Sequence, residues 1–208
     1  MGGYQATLTQ AQGNLLYTAT DDSRIATSWT DNFDNSSIDS AWTETGTPVE
    51  TTVLTLNHGD DVRRDLTARR ELSLIAYLDG TNLGADSQLL AGYQGTAGTT
   101  PDALVGFQNT SGTWNPKSFL FGNEDTGGGG KKKGWVRVRV MIGVYAVSEW
   151  AEVASTSVPT EDQWTMLAVK TAVITKAILE PRLRIFCSRF GGAAATTGTA
   201  QQMTADWR

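Results

Sequence analysis

Residues 135–142 read Trp-Val-Arg-Val-Arg-Val-Met-Ile, an alternation that puts Val136, Val138 and Val140 on one face and Arg137 and Arg139 on the other. A period of two is the mark of a half-buried strand and cannot be satisfied by a helix. The same period recurs in Leu72, Leu74, Ala76 and Leu78, and in Leu183, Ile185 and Cys187 interleaved with Arg182, Arg184 and Phe186. Strands are predicted around 49–56, 63–78, 87–94, 102–108, 117–122, 135–147, 163–175, 181–189 and 201–207. Turn residues separate them at Asn57-His58-Gly59-Asp60, Asp79-Gly80, Gly95 to Pro101, Ser111-Gly112, Gly127 to Gly130 and Gly191 to Gly198.

Many strands, frequent turns and no sustained helix predict an all-β fold, a two-sheet antiparallel β-sandwich or jelly roll. One segment has two readings. Residues 60–76 form a helix if Asp60 or Asp61 caps a stripe of Val62, Leu66, Leu72 and Ala76. They form strand if the alternation from Leu72 to Leu78 governs, and that alternation is the better pattern. Residues 1–28 differ from the rest: they are polar, rich in Thr, Gln and Ala, with Leu8, Leu15, Leu16, Tyr17 and Ile25 as scattered apolar anchors. They are read as an extended N-terminal arm that gains order only by packing on a partner or along the body, with 29–208 as the sandwich domain.

At 208 residues the chain can bury roughly 70% of its unfolded surface without covalent staples. Cys187 is the sole cysteine, and within Arg-Ile-Phe-Cys it reads as a small core hydrophobe. The net charge of -5 argues against nucleic acid as a partner, because neutralising phosphate needs a concentrated basic surface. Lys131, Lys132 and Lys133 follow four glycines and read as a solvated hairpin tip. No stretch approaches the ~20 apolar residues of a membrane span, and Met-Gly-Gly-Tyr-Gln-Ala lacks the parts of a secretory signal, so no membrane association and synthesis in a reducing cytoplasm are expected. Ala6 stands where a myristoylation signal needs Ser or Thr.

Two stretches carry a family resemblance. Trp29-Thr-Asp-Asn-Phe33-Asp34-Asn-Ser-Ser-Ile38-Asp39-Ser-Ala-Trp42 resembles the opening strand of concanavalin A-like lectin and glucanase jelly rolls, which begin with Phe-Asp, a short polar turn, an aliphatic-Asp pair and Trp. Arg184 to Gly191 and then Met203-Thr-Ala-Asp-Trp207 look like that fold's last two strands, with a Gly-rich loop between, and Trp164 heading a strand also fits. The resemblance covers residues 29–208 and implies a fold shared by lectins, hydrolases and viral structural proteins, without choosing among them.

A glucanase of that fold would carry a Glu-x-Asp-x-x-Glu run. Here only Glu149-Trp150-Ala151-Glu152 comes near, lacking the middle Asp and spacing its carboxylates onto opposite faces. The plainer reading leaves both Glu solvated. His58, the only histidine, reads as a turn residue, and no Gly-x-Ser-x-Gly elbow or phosphate loop is present. Asp31, Asn32, Asp34 and Asn35 are oxygen-rich but lack EF-hand spacing, and residues of this kind at turns bond their own backbone, so no metal and no cofactor are assigned. Trp114, in Gln-Asn-Thr-Ser-Gly-Thr-Trp-Asn-Pro, with Asn109 and Asn115 beside it, is the candidate ligand site: sugars stack on indole while amides bond hydroxyls. Its alternative is an indole folded back over a sheet edge or anchoring a subunit interface. Trp29, Trp42, Trp135, Trp164 and Trp207 are assigned to the core.

These features favour a non-enzymatic structural or interaction protein. Its residues Leu8, Leu15, Leu16 and Tyr17 would dock onto a larger assembly, and it would form a homo-oligomer. Lectin-like jelly rolls serve in this way as capsid decoration or tail proteins of bacterial viruses, which would place it in a virion made in the host cytoplasm beside capsid or tail subunits. The alternatives are a carbohydrate-binding module or adhesin that takes surface glycans, and a glycoside hydrolase.

Overall fold

A computed structural model describes residues 27–66, 71–95, 103–141, 144–171 and 181–207; the anchors Leu8, Leu15, Leu16 and Tyr17 of the predicted arm lie outside them. In chain order the described strands are β1 (Thr27–Asp31), β2 (Thr43–Thr45), β3 (Val49–Glu50), β4 (Leu54–Asn57), β5 (Asp61–Asp65), β6 (Glu71–Asp79), β7 (Ser87–Gly95), β8 (Ala103–Thr110), β9 (Thr113–Leu120), β10 (Asn123–Thr126), β11 (Lys133–Met141), β12 (Tyr145–Ala151), β13 (Thr165–Lys170), β14 (Pro181–Arg189) and β15 (Thr197–Trp207), with a 3-10 turn at Glu161–Gln163. They build two antiparallel sheets. One runs β13-β12-β11-β6-β15-β4-β3, with β1 also on β15; the other runs β10-β9-β8-β7-β14-β5-β2.

The alternating patterns bury their apolar halves between the sheets. Leu72, Leu74, Ala76, Leu78 and Val136, Val138, Val140 meet Leu89, Ala91, Phe107, Leu183, Ile185 and Cys187 in one cluster. Each Leu, Val, Ile or Phe among them, fully buried, contributes about 1.5–3 kcal/mol of transfer free energy. Residues 61–65 and 71–79 are strand, so the helix alternative fails: Val62, Leu72 and Ala76 reach the core by alternation.

Three predicted strands are broken by turns. Residues 117–122 end at Leu120, because Phe121 (φ 50) and Gly122 (φ 86) form a two-residue hairpin into β10. Positive φ at both positions matches the twist of the flanking strands, as it does at Ser111 (φ 50) and Gly112 (φ 90) between β8 and β9. The Phe121 carbonyl is held by Lys170 Nζ at 2.6 Å. The predicted strand 135–147 is the paired β11 and β12, and 49–56 is the β3-β4 hairpin.

β15 explains the family motif. Its first half pairs with β4 and its second half with β1, while β6 follows it along the other side. β1 enters with Thr27 opposite Trp207. At its end Asp31 becomes a bracket: one oxygen accepts from the Phe33 amide at 2.9 Å and the other from Trp42 Nε1 at 3.0 Å. Trp42 meets Trp29 edge-on at 5.2 Å. The acidic and aromatic residues of that motif close one end of the core.

Candidate functional site

In an antiparallel sheet, directly opposed residues share a face. On the outward face of the seven-stranded sheet this rule aligns three rows. Asp61, Phe186, Leu90, Gly106, Lys117 and Thr126 oppose one another in turn from β5 to β10. The next row holds Arg63, Arg184, Gly92, Leu104, Phe119 and Glu124; the third holds Ser188, Gln88, Gln108 and Asn115. Leu90, Leu104 and Phe186 on this outward face are themselves buried, and half-buried Phe119 packs against them in a small cluster separate from the main core. A recess of about 200 Å³ opens over it, walled by Gln88, Lys117 and Glu124.

The polar rim is already ordered. Lys117 Nζ and Glu124 Oε2 pair at 2.5 Å, Gln88 Nε2 donates to Ser188 Oγ at 3.1 Å, and Gln108 Nε2 donates to Thr126 Oγ1 at 3.3 Å. Arg184 stacks 4.0 Å over Phe186 and shares the Asp61 carboxylate with Arg63. Two glycines let the strands approach closely in the middle of the face. A Cβ at Gly106 would sit 2.0 Å from the Leu89 carbonyl oxygen, and one at Gly92 (φ 155) 2.1 Å from that of Ala103. Glycine inside a strand marks such a close backbone approach. An apolar floor with fixed amides and charges around it can take the flat face of a sugar ring while the rim bonds its hydroxyls.

The predicted trio does not form one site. Trp114 and Asn109 oppose each other on the inward side, and Asn115 opposes Gln108 on the outward side. Trp114 is half-buried, its Nε1 donating to the Gly80 carbonyl at 3.0 Å, with Lys132 Nζ 4.1 Å over the ring. Asn109 is buried; its Nδ2 donates to the Leu83 carbonyl at 2.8 Å and its Oδ1 accepts from the Gly112 amide at 2.9 Å, so it fastens two turns. Only Asn115 stands in the outward row, its amide nitrogen toward the Gly127 carbonyl at 3.2 Å. Consecutive strand residues point apart, so proximity in sequence separated what the prediction had joined.

Other expectations are corrected by partners. Glu149 is buried, not solvated: it takes Arg137 Nε at 2.7 Å and Nη2 at 3.0 Å, and Arg139 Nη2 at 3.0 Å. Glu152 is exposed and pairs with Lys131. The lysine run is tethered as well as solvated, since Lys132 covers Trp114 and Lys133 approaches Asp79 at 3.8 Å. Trp135 packs outside the main core, in an outer cluster with Tyr77 and Ala151 that Trp164 joins. His58 is in its turn, exposed, with Nδ1 accepting from the Arg189 amide at 3.2 Å. Burial, helped by the Asp60 charge, pushes the Cys187 thiol up to about 11, against the smaller lowering effects of hydrogen bonds with Thr196 and Gly198. Among the described residues, no three His, Cys, Asp or Glu side chains gather as metal ligands, and no helix is long and apolar enough to cross a membrane.

The residues missed by the sequence reading are Phe119, Phe186, Leu90 and Leu104. Their signal was present: each sits at the outward parity of its strand, where a polar residue is expected.

No protein-family model matches the chain, and no curated protein matches its sequence. Solved structures share its fold. A GH43 protein, a BlXynB mutant from Bacillus licheniformis, superposes with TM-score 0.63 at 11% identity over 86% of this chain, which spans only 39% of that one. The CBM2 module of the evolved Dit of Lactobacillus casei BL23 phage J-1 matches with TM-score 0.60 at 7% identity, covering 88% of this chain and 96% of that module. Peanut lectin matches with TM-score 0.57 at 8% identity, over 89% and 98%. These likenesses establish a concanavalin-like β-sandwich.

Proposed function

We propose that this chain is a non-catalytic, glycan-binding sandwich carried on a virion surface component, and that it binds carbohydrate on the outward face of its seven-stranded sheet. The observation that carries the reading is the apolar floor of Leu90, Leu104, Phe119 and Phe186 ringed by Gln88, Lys117 and Glu124. It is supported by the whole-length likeness to a phage Dit CBM2 module and to a lectin, where the GH43 chains are matched over a minor part of their length. The engagement of Glu149 by two arginines favours binding over hydrolysis, since a carboxylate so held is spent as a base or nucleophile. A glycan array with the full chain tests it: selective binding that falls at least tenfold in Phe119→Ala and Gln88→Ala is expected, and no binding to any glycan overturns the reading.

Attachment to capsid or tail subunits through residues 1–28 is the second part of the proposal. Thr27 pairs with Trp207, so the first described residues belong to the eight-stranded sheet, whereas the proposed glycan face is on the other sheet. Ordering such a segment on a partner costs conformational entropy, which repeated copies in an oligomer offset through avidity. Co-assembly with its particle, lost on deleting residues 1–28, is the expected result.

A further inference from the structure

Among the described residues that line the recess on the seven-stranded sheet, Lys117 is the one cation, and an unequal partner holds it. Lys117 leaves only 10% of its side chain exposed, whereas 61% of Glu124, which pairs with it at 2.5 Å, is open to solvent. Glu124 stands on β10, a four-residue strand at the sheet edge that is exposed along its whole length. We propose that the recess takes an acidic sugar, a uronic acid, whose carboxylate replaces Glu124 on the Lys117 ammonium. The idea rests on the glycan reading and names the class of sugar that this site selects.

Three observations carry it. The first is burial. A nearly buried ammonium is costly without an anion, so Lys117 must keep a carboxylate beside it, but that carboxylate need not come from Glu124. An exposed glutamate held in one geometry gives up side-chain entropy, and it regains that entropy together with full hydration when a ligand takes its place. A neutral sugar offers no such exchange, because it must leave Glu124 where it is. The second is access. In the row Leu90, Gly106, Lys117 the middle position carries no side chain, so a ring lying over Leu90 meets none between itself and the ammonium. The third is charge. Among the described residues of the three outward rows, Lys117, Arg63 and Arg184 stand against Asp61 and Glu124, three positive charges to two negative, in a chain whose formal net charge is -5. This face therefore repels an anion less than the chain as a whole does.

The first test uses the full, unsubstituted chain on an array that carries uronic-acid oligosaccharides beside the same oligosaccharides with each carboxyl reduced to the primary alcohol. Binding of the acidic form at least tenfold tighter than the reduced form is expected. Equal or tighter binding of the reduced form overturns the exchange; where that binding also falls in Phe119→Ala, the glycan reading still stands. Silence of every glycan on the array removes both. Titration of the preferred acidic oligosaccharide into two variants supplies an independent readout. Glu124→Gln should bind it at least fivefold tighter, because the internal competitor is gone, and Lys117→Gln at least tenfold more weakly. Unchanged or weaker binding by Glu124→Gln would show that Glu124 serves the sugar instead of yielding to it, and refutes the proposal.

Discussion

Arg137 and Glu149 face each other across β11 and β12 as a two-bond ion pair on the outer face of the eight-stranded sheet, with only 5% and 11% of their side chains exposed. The guanidinium also takes the Glu161 carboxylate at 2.7 and 3.1 Å and stacks 4.3 Å from Trp164. One strand residue thus pins the 3-10 turn to the sheet, and its hydrogen bonds hold the Glu161 carboxyl below the usual carboxylate range.

Removing Arg137 leaves the buried Glu149 carboxylate with Arg139 alone and frees Glu161 of its partner. Because Arg139 still pairs with Glu149, Arg137→Ala should lower unfolding free energy by less than the ~3–5 kcal/mol of a fully stranded charge, and Arg137→Met combined with Glu149→Leu should recover part of that loss. Urea unfolding of the two variants checks this. Equal loss in single and double variants would show that the charge pairing is not what matters.

Trp114 and Phe119 should separate stability from recognition. Trp114→Phe keeps the ring but leaves the Gly80 carbonyl without its donor, which should cost about 1 kcal/mol and leave glycan affinity unchanged. Phe119→Ala should do the reverse in rank, weakening affinity more than stability. Calorimetric unfolding and glycan titration of both proteins decide it, and a glycan loss confined to Trp114→Phe would return the site to the β8-β9 hairpin.

Glu50 should make stability fall as pH rises. Its carboxylate is 5% exposed; Oε1 accepts from the Asn35 amide at 3.2 Å, and Oε2 is buried without a partner. Burial first, and then Asp31, Asp34 and Asp39, raise its pKa, against the lowering effect of the Asn35 amide. The folded state therefore binds a proton more tightly than the unfolded chain, so this group's contribution is fully present below the unfolded value near 4.5 and lost as pH rises through the raised folded value. Glu50→Gln should keep the Asn35 bond and flatten that decline. Chemical denaturation between pH 4 and 8 measures it, and parallel curves for the two proteins would contradict the assignment.

Gly106→Ala should cost about 1–3 kcal/mol by forcing a methyl against the Leu89 carbonyl. Gly112→Ala meets no neighbouring atom, so its cost should come from backbone conformation alone (φ 90). Denaturant midpoints for both variants provide the comparison; a larger loss at Gly112 would show that turn strain outweighs the close strand approach.

What the sequence determined by itself was local: period-two writing placed the core halves of β6, β11 and β14, and Ser111-Gly112 and Asn57 to Asp60 marked turns that the chain makes. The opening Trp, Asp and Phe motif pointed to the fold because Asp31 and Trp42 lie close enough in sequence to be read together. Tertiary structure decided which outward residues became neighbours. Phe186, Leu90, Gly106 and Lys117 lie far apart in the chain, and only the registers of β14, β7, β8 and β9 bring them into one row. A shift of one residue in any of those pairings would turn that strand's side chains to the other face, and composition carries no record of register. Glu149 was obscured in the same way: its burial depends on two arginines delivered by a neighbouring strand and on a turn twelve residues ahead, a convergence that no local spacing encodes.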